Sequence, residues 1–174
     1  MTVAGTTIRR TTDADVPGLP AVERSAARAF ATSPELSWIV DDDVLDEAQQ
    51  RRFAAAGGSW VADIAGAPVG FICAELVGHE VHVWEIAVDE AYQQQGIGSR
   101  LMAHVEAAAR DAGAHAVTLT TFRDVAWNGP FYASLGYEVI DPAAYSARLR
   151  RILELEAQAG IPGDRRCAMR LRLR

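Results

Sequence analysis

The chain predicts an α/β domain on a mixed, largely antiparallel central sheet flanked by helices. Two observations carry this. Strand-like and helix-period runs follow in the order β-α-α-β-β-β-α-β-α-β-α-β along 174 residues. Three of those strands are joined only by hairpin-type turns at 65–68 and 78–79, which make antiparallel neighbours. A chain of this length buries roughly 70% of its unfolded surface, so residues 1–174 are expected as a single domain.

Residues 7–10 read as a short first strand. Asp13 and Asp15 stand as N-caps, with Pro17 early in the helix that follows. Val16, Leu19, Val22, Ala26 and Phe30 recur at helical spacing until Ser33-Pro34. A polar stretch with Trp38 and Asp41-Asp42-Asp43 leads to a helix over 44–55, stopped by Gly57-Gly58. Strands are expected over 59–64, 69–77 and 80–88. The helix over 97–112 shows an apolar face of Ile97, Leu101, Val105, Ala108 and Ala112, with Gly113 as its stop. A β-branched strand over 116–121 follows. Asn128-Gly129-Pro130 opens a short helix ending at Gly136, and a strand over 137–140 and a helix over 143–159 come next. In the last strand, 165–173, Cys167, Met169, Leu171 and Leu173 alternate with four arginines and Ala168. That is a half-buried strand with a solvated arginine face, the alternative being a basic patch for an anionic partner.

Composition works by exclusion. A formal charge of −6 opposes nucleic-acid binding, which needs a basic footprint. No apolar run approaches the ~20 residues of a membrane span, and residues 1–5 lack signal-peptide architecture. A cytoplasmic location with no membrane partner is the expectation. Cys73 and Cys167 both fall in apolar strand patterns, as buried free thiols do, a disulfide being the alternative.

The segment Gln93-Gln94-Gln95-Gly96-Ile97-Gly98-Ser99-Arg100 carries the chemistry. It joins a strand directly to a helix, whose first N–H groups lack internal partners and whose dipole favours negative charge. Gly96 and Gly98 remove Cβ atoms that would hold a phosphate away from those groups. A pyrophosphate cradle is expected from the backbone of residues 94–99, with Arg100 adding charge. A Walker loop is excluded because the chain has no lysine, all 17 basic residues being arginine. A dinucleotide fingerprint is excluded because Leu101 stands where its third glycine or alanine belongs.

Gln93, Gly96 and Gly98 match the Gln/Arg-x-x-Gly-x-Gly/Ala signature of the GNAT N-acyltransferases, which this chain resembles. Phe131-Tyr132-Ala133-Ser134-Leu135-Gly136-Tyr137 resembles that family's second signature, and the two stand at its separation. The resemblance implies acetyl-CoA as cofactor and acetyl transfer to a primary amine of a small molecule by direct attack in a ternary complex. It places Ile86, Ala87 and Val88 along the pantetheine arm, with a backbone N–H near the thioester carbonyl. Tyr132 resembles the general acid that protonates the departing sulfur, the alternative being a core tyrosine. Asn128 lies four residues before Tyr132, whereas the family's asparagine lies seven before, where Val125 stands here. Asn128 therefore reads equally as a pantetheine ligand or an N-cap.

The base has two side-chain candidates. His82 stands eleven residues before Gln93, where many relatives carry glutamate; an exposed strand residue is its alternative. Glu85 is the first choice, because a carboxylate in an apolar strand is costly to bury without a partner. Ordered water is the third option. The family binds its acceptor at the first two helices and near Arg123 and Asp124. Asp41-Asp42-Asp43 would favour a cationic amine there, or is simply a solvated capping cluster. A protein or peptide acceptor is the alternative within the family, and a non-catalytic acyl-CoA-binding domain the alternative outside it. Homodimers are common in the family.

Overall fold

A computed structural model describes residues 5–174. Residues 1–4, within the stretch read against a signal peptide, lie outside the described residues. The chain forms two compact units. One runs to Glu75 and resumes over Trp84–Ala108; the other comprises Leu76–Val83 and Ala109–Arg174.

The first unit holds β1 (Thr6–Arg10), α1 (Leu19–Ala27), α2 (Glu47–Ala55), β2 (Ser59–Ile64) and most of β3 (Ala67–Val77). It also holds the second half of β4 (Glu80–Val88) and most of α3 (Ile97–Asp111). β1 and β2 pair antiparallel from Thr6↔Ile64 to Arg10↔Trp60, and β2 pairs antiparallel with β3 around a bulge at Ala62/Asp63. Leu19 and Val22 of α1 close over Val61, Phe71, Cys73 and Ala87, with Ala26, Leu45 and Phe53 at the margin. Gly58 is required by space, because a Cβ there would collide with the Ala74 carbonyl.

The second unit holds β5 (Ala116–Phe122), α4 (Gly129–Ser134), β6 (Glu138–Val139), α5 (Ala147–Gln158) and β7 (Arg166–Arg172). The first half of β4 runs parallel to β5 from Glu80↔Ala116 to Val83↔Leu119. β7 lies antiparallel to both β5 and β6. Ile140, Leu149, Ile152 and Ala168 form a core cluster with Tyr145 packed on it. The strands hydrogen-bond in the order β1-β2-β3-β4-β5-β7-β6, a mixed, mostly antiparallel sheet flanked by helices.

Several local expectations change. The helix expected over 16–30 is three pieces: 3-10 turns at Val16–Gly18 and Arg28–Thr32 flank a nine-residue α1. Asp15 flanks the first of these without capping it, because its carboxylate pairs with Arg9 at 2.7 Å. The same guanidinium reaches Asp63 at 2.6 Å. α2 starts at Glu47 through a capping box formed by Asp46 and Gln49. Asp41-Asp42-Asp43 are exposed and make no such cap. On α3 the buried set is Ile97, Leu101, Met102, Val105 and Ala109. Ala112 falls past the last helical residue and is exposed. Both cysteines are buried and free. Among the described residues no helix is long and apolar enough to cross a membrane.

Candidate active site

β4 ends where Asp89 N–H donates to the Val69 carbonyl at 2.9 Å. Asp89 Oδ1 then accepts from Ala91 N–H, starting a 3-10 turn over Glu90–Tyr92. The backbone next enters the left-handed region twice, at Gln94 (φ 58°) and at Gly96 (φ 78°). Glycine takes that conformation freely, whereas a residue with a Cβ pays about 1–2 kcal/mol. Single left-handed residues in a tight turn make the backbone concavity that binds anions. Arg100 N–H donates to the Gly96 carbonyl at 3.1 Å, so the helical ladder of α3 begins there. The N–H groups of Ile97, Gly98 and Ser99 precede it, the ordinary condition of a helix start.

Packing holds this turn in place. Ile97 is buried and pins the helix start. A Cβ on Gly70 would stand 3.0 Å from the Ala87 carbonyl oxygen and 3.3 Å from Val88 Cγ2, so glycine lets β3 lie against the end of β4. Gln93 Nε2 donates to the Val88 carbonyl at 3.0 Å and to Ala26 at 3.4 Å, bracing the turn against α1. Gln95 Nε2 donates to the Ala91 carbonyl at 3.1 Å. The Arg100 guanidinium donates to the Thr6 carbonyl at 2.9 Å.

The expected site residues fall in both units. Glu85, Ile86, Ala87, Val88 and residues 93–100 belong to the first; His82, Asn128 and Tyr132 belong to the second. Glu85 is half-buried, and its Oε1 accepts from Ile86 N–H at 3.1 Å. Of the arm-lining N–H groups expected near the thioester, the one at Ile86 is thus bound to its neighbour.

His82 is buried, not the exposed strand residue of its alternative reading. Its Nδ1 lies 3.0 Å from Thr118 Oγ1, which also accepts from Arg148 Nη2 at 3.2 Å. Burial first, then the Arg148 charge, pushes the imidazole down to about 3. Arg148 also pairs with Glu80 at 3.1 Å. Tyr132 is buried on α4, edge-on to Phe131 and Tyr137 with ring centroids 5.1 and 6.0 Å away. Asn128 occupies the N-cap position of α4 without capping it; its Oδ1 accepts from Thr121 Oγ1 at 2.8 Å. Gly129 is enforced by space, because a Cβ there would collide with the Arg123 carbonyl. Asp124 is exposed and pairs with Arg165 at 3.1 Å.

Sequence reasoning missed Glu23 and Gln50. Glu23 lies on the apolar stripe of α1, on the 19-22-23-26 spacing, and accepts from Leu45 N–H at 3.1 Å. Burial pushes its carboxyl up to about 7, with Leu45 N–H and the Arg24 charge pulling back. A charge breaking a helical apolar stripe was the available signal. Gln50 is wholly buried under α2, and its Oε1 accepts from Cys73 Sγ at 3.3 Å.

The family model described as "Acetyltransferase (GNAT) family" matches residues 24–137. Solved structures agree in fold. The PaiA N-acetyltransferase of Thermoplasma acidophilum, in complex with coenzyme A, superposes with TM-score 0.72 at 17% identity, covering 97% of this chain and 99% of that one. Ard1 from Thermoplasma volcanium gives TM-score 0.67 at 20% identity, covering 98% and 99%. An Escherichia coli N-acetyltransferase named for an alanine of a ribosomal protein gives 0.64 at 20% identity, covering 96% and 93%.

Proposed function

This chain belongs to the GNAT acetyltransferase family, and on that footing we propose that residues 1–174 act as one domain transferring an acetyl group from acetyl-CoA to a primary amine of a small molecule. The observation that carries this is the turn after β4, with left-handed residues at Gln94 and Gly96 leading straight into the N-terminus of α3. In this reading the backbone of residues 94–99 holds the pyrophosphate. Ile86, Ala87 and Val88, on the second half of β4, lie along the pantetheine arm in this reading. Gln93, Gln95 and Arg100 serve the cofactor indirectly, by bracing the turn. Asn128 acts likewise by holding Thr121.

When bound, acetyl-CoA supplies the electrophilic thioester. An alkyl ammonium has a pKa of ~10.4, so it must lose a proton before its nitrogen attacks. Glu85 is the side chain of this segment proposed to draw that proton away. His82 ranks second: a ring pushed down to about 3 is neutral at pH 7 and holds a proton poorly. Tyr132 is proposed as the acid that protonates the sulfur; its burial among Phe131 and Tyr137 holds the phenol in one orientation. Holding amine and thioester together is worth roughly 7–11 kcal/mol of barrier.

The test is direct. Calorimetry with acetyl-CoA should show saturable heat, and a panel of primary amines should release CoA thiol. No heat overturns the cradle. Heat without thiol release from any amine leaves a binding domain, and release only with peptides moves the acceptor to proteins.

A further inference from the structure

The acceptor side of the first unit contains a polar group that the reading above does not use. Leu19, Val22 and Ala26 of α1 pack on Cys73 and Ala87, so the sheet face carrying those two residues lies under α1. Glu23 shares the α1 stripe by helical spacing, and Glu85 shares the Ala87 face of β4 by strand alternation. The two carboxylates thus belong to facing sides of the packing around Cys73, whose thiol is pushed up to about 12 first by burial and then by the charges of Glu85 and Glu23. One Glu23 oxygen, Oε2, is held by Leu45 N–H at 3.1 Å. Among the described residues its Oε1 makes no hydrogen bond, and the side chain is only half-buried.

A second observation is independent of the acids. Gln50 is wholly buried, and its Oε1 is taken by the same Cys73. Among the described residues its Nε2 has no acceptor. Native interiors seldom leave an amide donor unused unless water or a ligand completes the group. The polar floor between α1, α2 and β3 is thus unfinished by the chain's own atoms.

We propose that Glu23 is a catalytic residue of the acetyl transfer: with Glu85 it receives the acceptor as a cationic primary ammonium, and its Oε1 takes the ammonium proton. This rests on the transferase reading above. The ammonium gives one proton to Glu23, which later passes it to solvent. The freed lone pair forms the C–N bond at the thioester carbonyl carbon. The tetrahedral adduct then collapses with cleavage of the C–S bond. The thiolate is protonated by the acid, and the second proton lost from nitrogen restores that acid. One proton is released per turnover. Glu23 suits the step because its carboxyl, raised by burial, exchanges a proton near neutrality. Glu23 thereby takes over the proton-drawing step assigned above to Glu85, whose carboxylate then holds the cation.

The experiment uses full-length protein, acetyl-CoA and ethylamine with its mono-, di- and trifluoro derivatives, whose ammonium groups grow steadily more acidic. Glu23→Gln keeps an acceptor for Leu45 N–H, and Glu23→Asp keeps the charge. Expected is a loss in kcat/KM of about 100-fold for Glu23→Gln with ethylamine. That loss should shrink toward trifluoroethylamine, which arrives largely deprotonated. Glu23→Asp should recover part of the rate, and Glu85→Gln should chiefly raise KM. Acetyl-CoA affinity should stay constant throughout. Wild-type kcat/KM for Glu23→Gln overturns the proposal, and so does an equal loss across the amine series, which marks a structural role. If wild-type protein binds acetyl-CoA but acetylates no amine, the transferase reading fails first and takes this proposal with it.

Discussion

At the scale of single residues, burial decides which candidate groups can do chemistry. His82 and Glu23 are shifted in opposite senses from their ordinary values, one down to about 3 and the other up to about 7. Both shifts disfavour the charged form, because a low-dielectric surrounding penalises an imidazolium and a carboxylate alike. The consequences for stability have opposite signs. Below pH 6.5 the unfolded chain takes up a proton at His82 that the folded chain refuses, so stability falls as pH drops from 6.5 toward 3. For Glu23 the folded chain keeps its proton between 4.5 and about 7 while the unfolded chain releases it, so stability falls as pH rises through that window. His82→Gln should therefore give a shallower acid-side decline in urea midpoint between pH 6 and 4 than wild type; parallel curves would refute the buried neutral ring. Tyr132→Phe keeps the ring that packs on Phe131 and Tyr137 and removes only the hydroxyl. Turnover should fall by about 10²–10³-fold with acetyl-CoA affinity unchanged, as thiol release and calorimetry would show.

At the scale of elements, the turn between β4 and α3 combines backbone strain with open space. A Cβ on Gly96 would meet nothing within 4 Å, yet φ there is 78°. The requirement for glycine is conformational, and a β-branched residue is the sharpest probe of it. Gly96→Val should weaken acetyl-CoA binding by at least about tenfold while lowering thermal stability by only about 1–2 kcal/mol. Unchanged affinity by calorimetry would count against the cradle. α2 illustrates a different balance. Its sequence is mostly polar, and Phe53, Leu45 and the buried Gln50 fasten it to the sheet. The split of the first helical run has the same origin: Val16, Leu19 and Val22 are buried, whereas the 3-10 turn over Arg28–Thr32 buries none of its residues.

At the scale of the whole molecule, family membership and the seven-strand order describe a scaffold whose ligand should contribute to its stability. Acetyl-CoA at 100 times its dissociation constant should add ~2.7 kcal/mol. For a chain of this size that is a rise in Tm of about 5–10 °C by thermal scan, and no shift would contradict specific binding. Much of this scaffold was legible without coordinates. Strands 59–64 and 80–88 fall where alternation and turn residues put them, because period-two patterning and hairpin chemistry are local properties. The strand–turn–helix around Gly96 was legible for the same reason, since only local sterics decide where a chain tolerates a positive φ. Other features depend on what lies across space. Pairing of Asp63 with Arg9, the packing of Leu19 and Val22 on Cys73, the closeness of β3 to β4 at Gly70 and the contact of buried His82 with Thr118 all join residues far apart in the chain. By itself the sequence determined the order of elements, the glycine turn between strand and helix, and the family. Only tertiary structure decided which polar side chains left water, because desolvation depends on neighbours that folding brings together and no local pattern encodes.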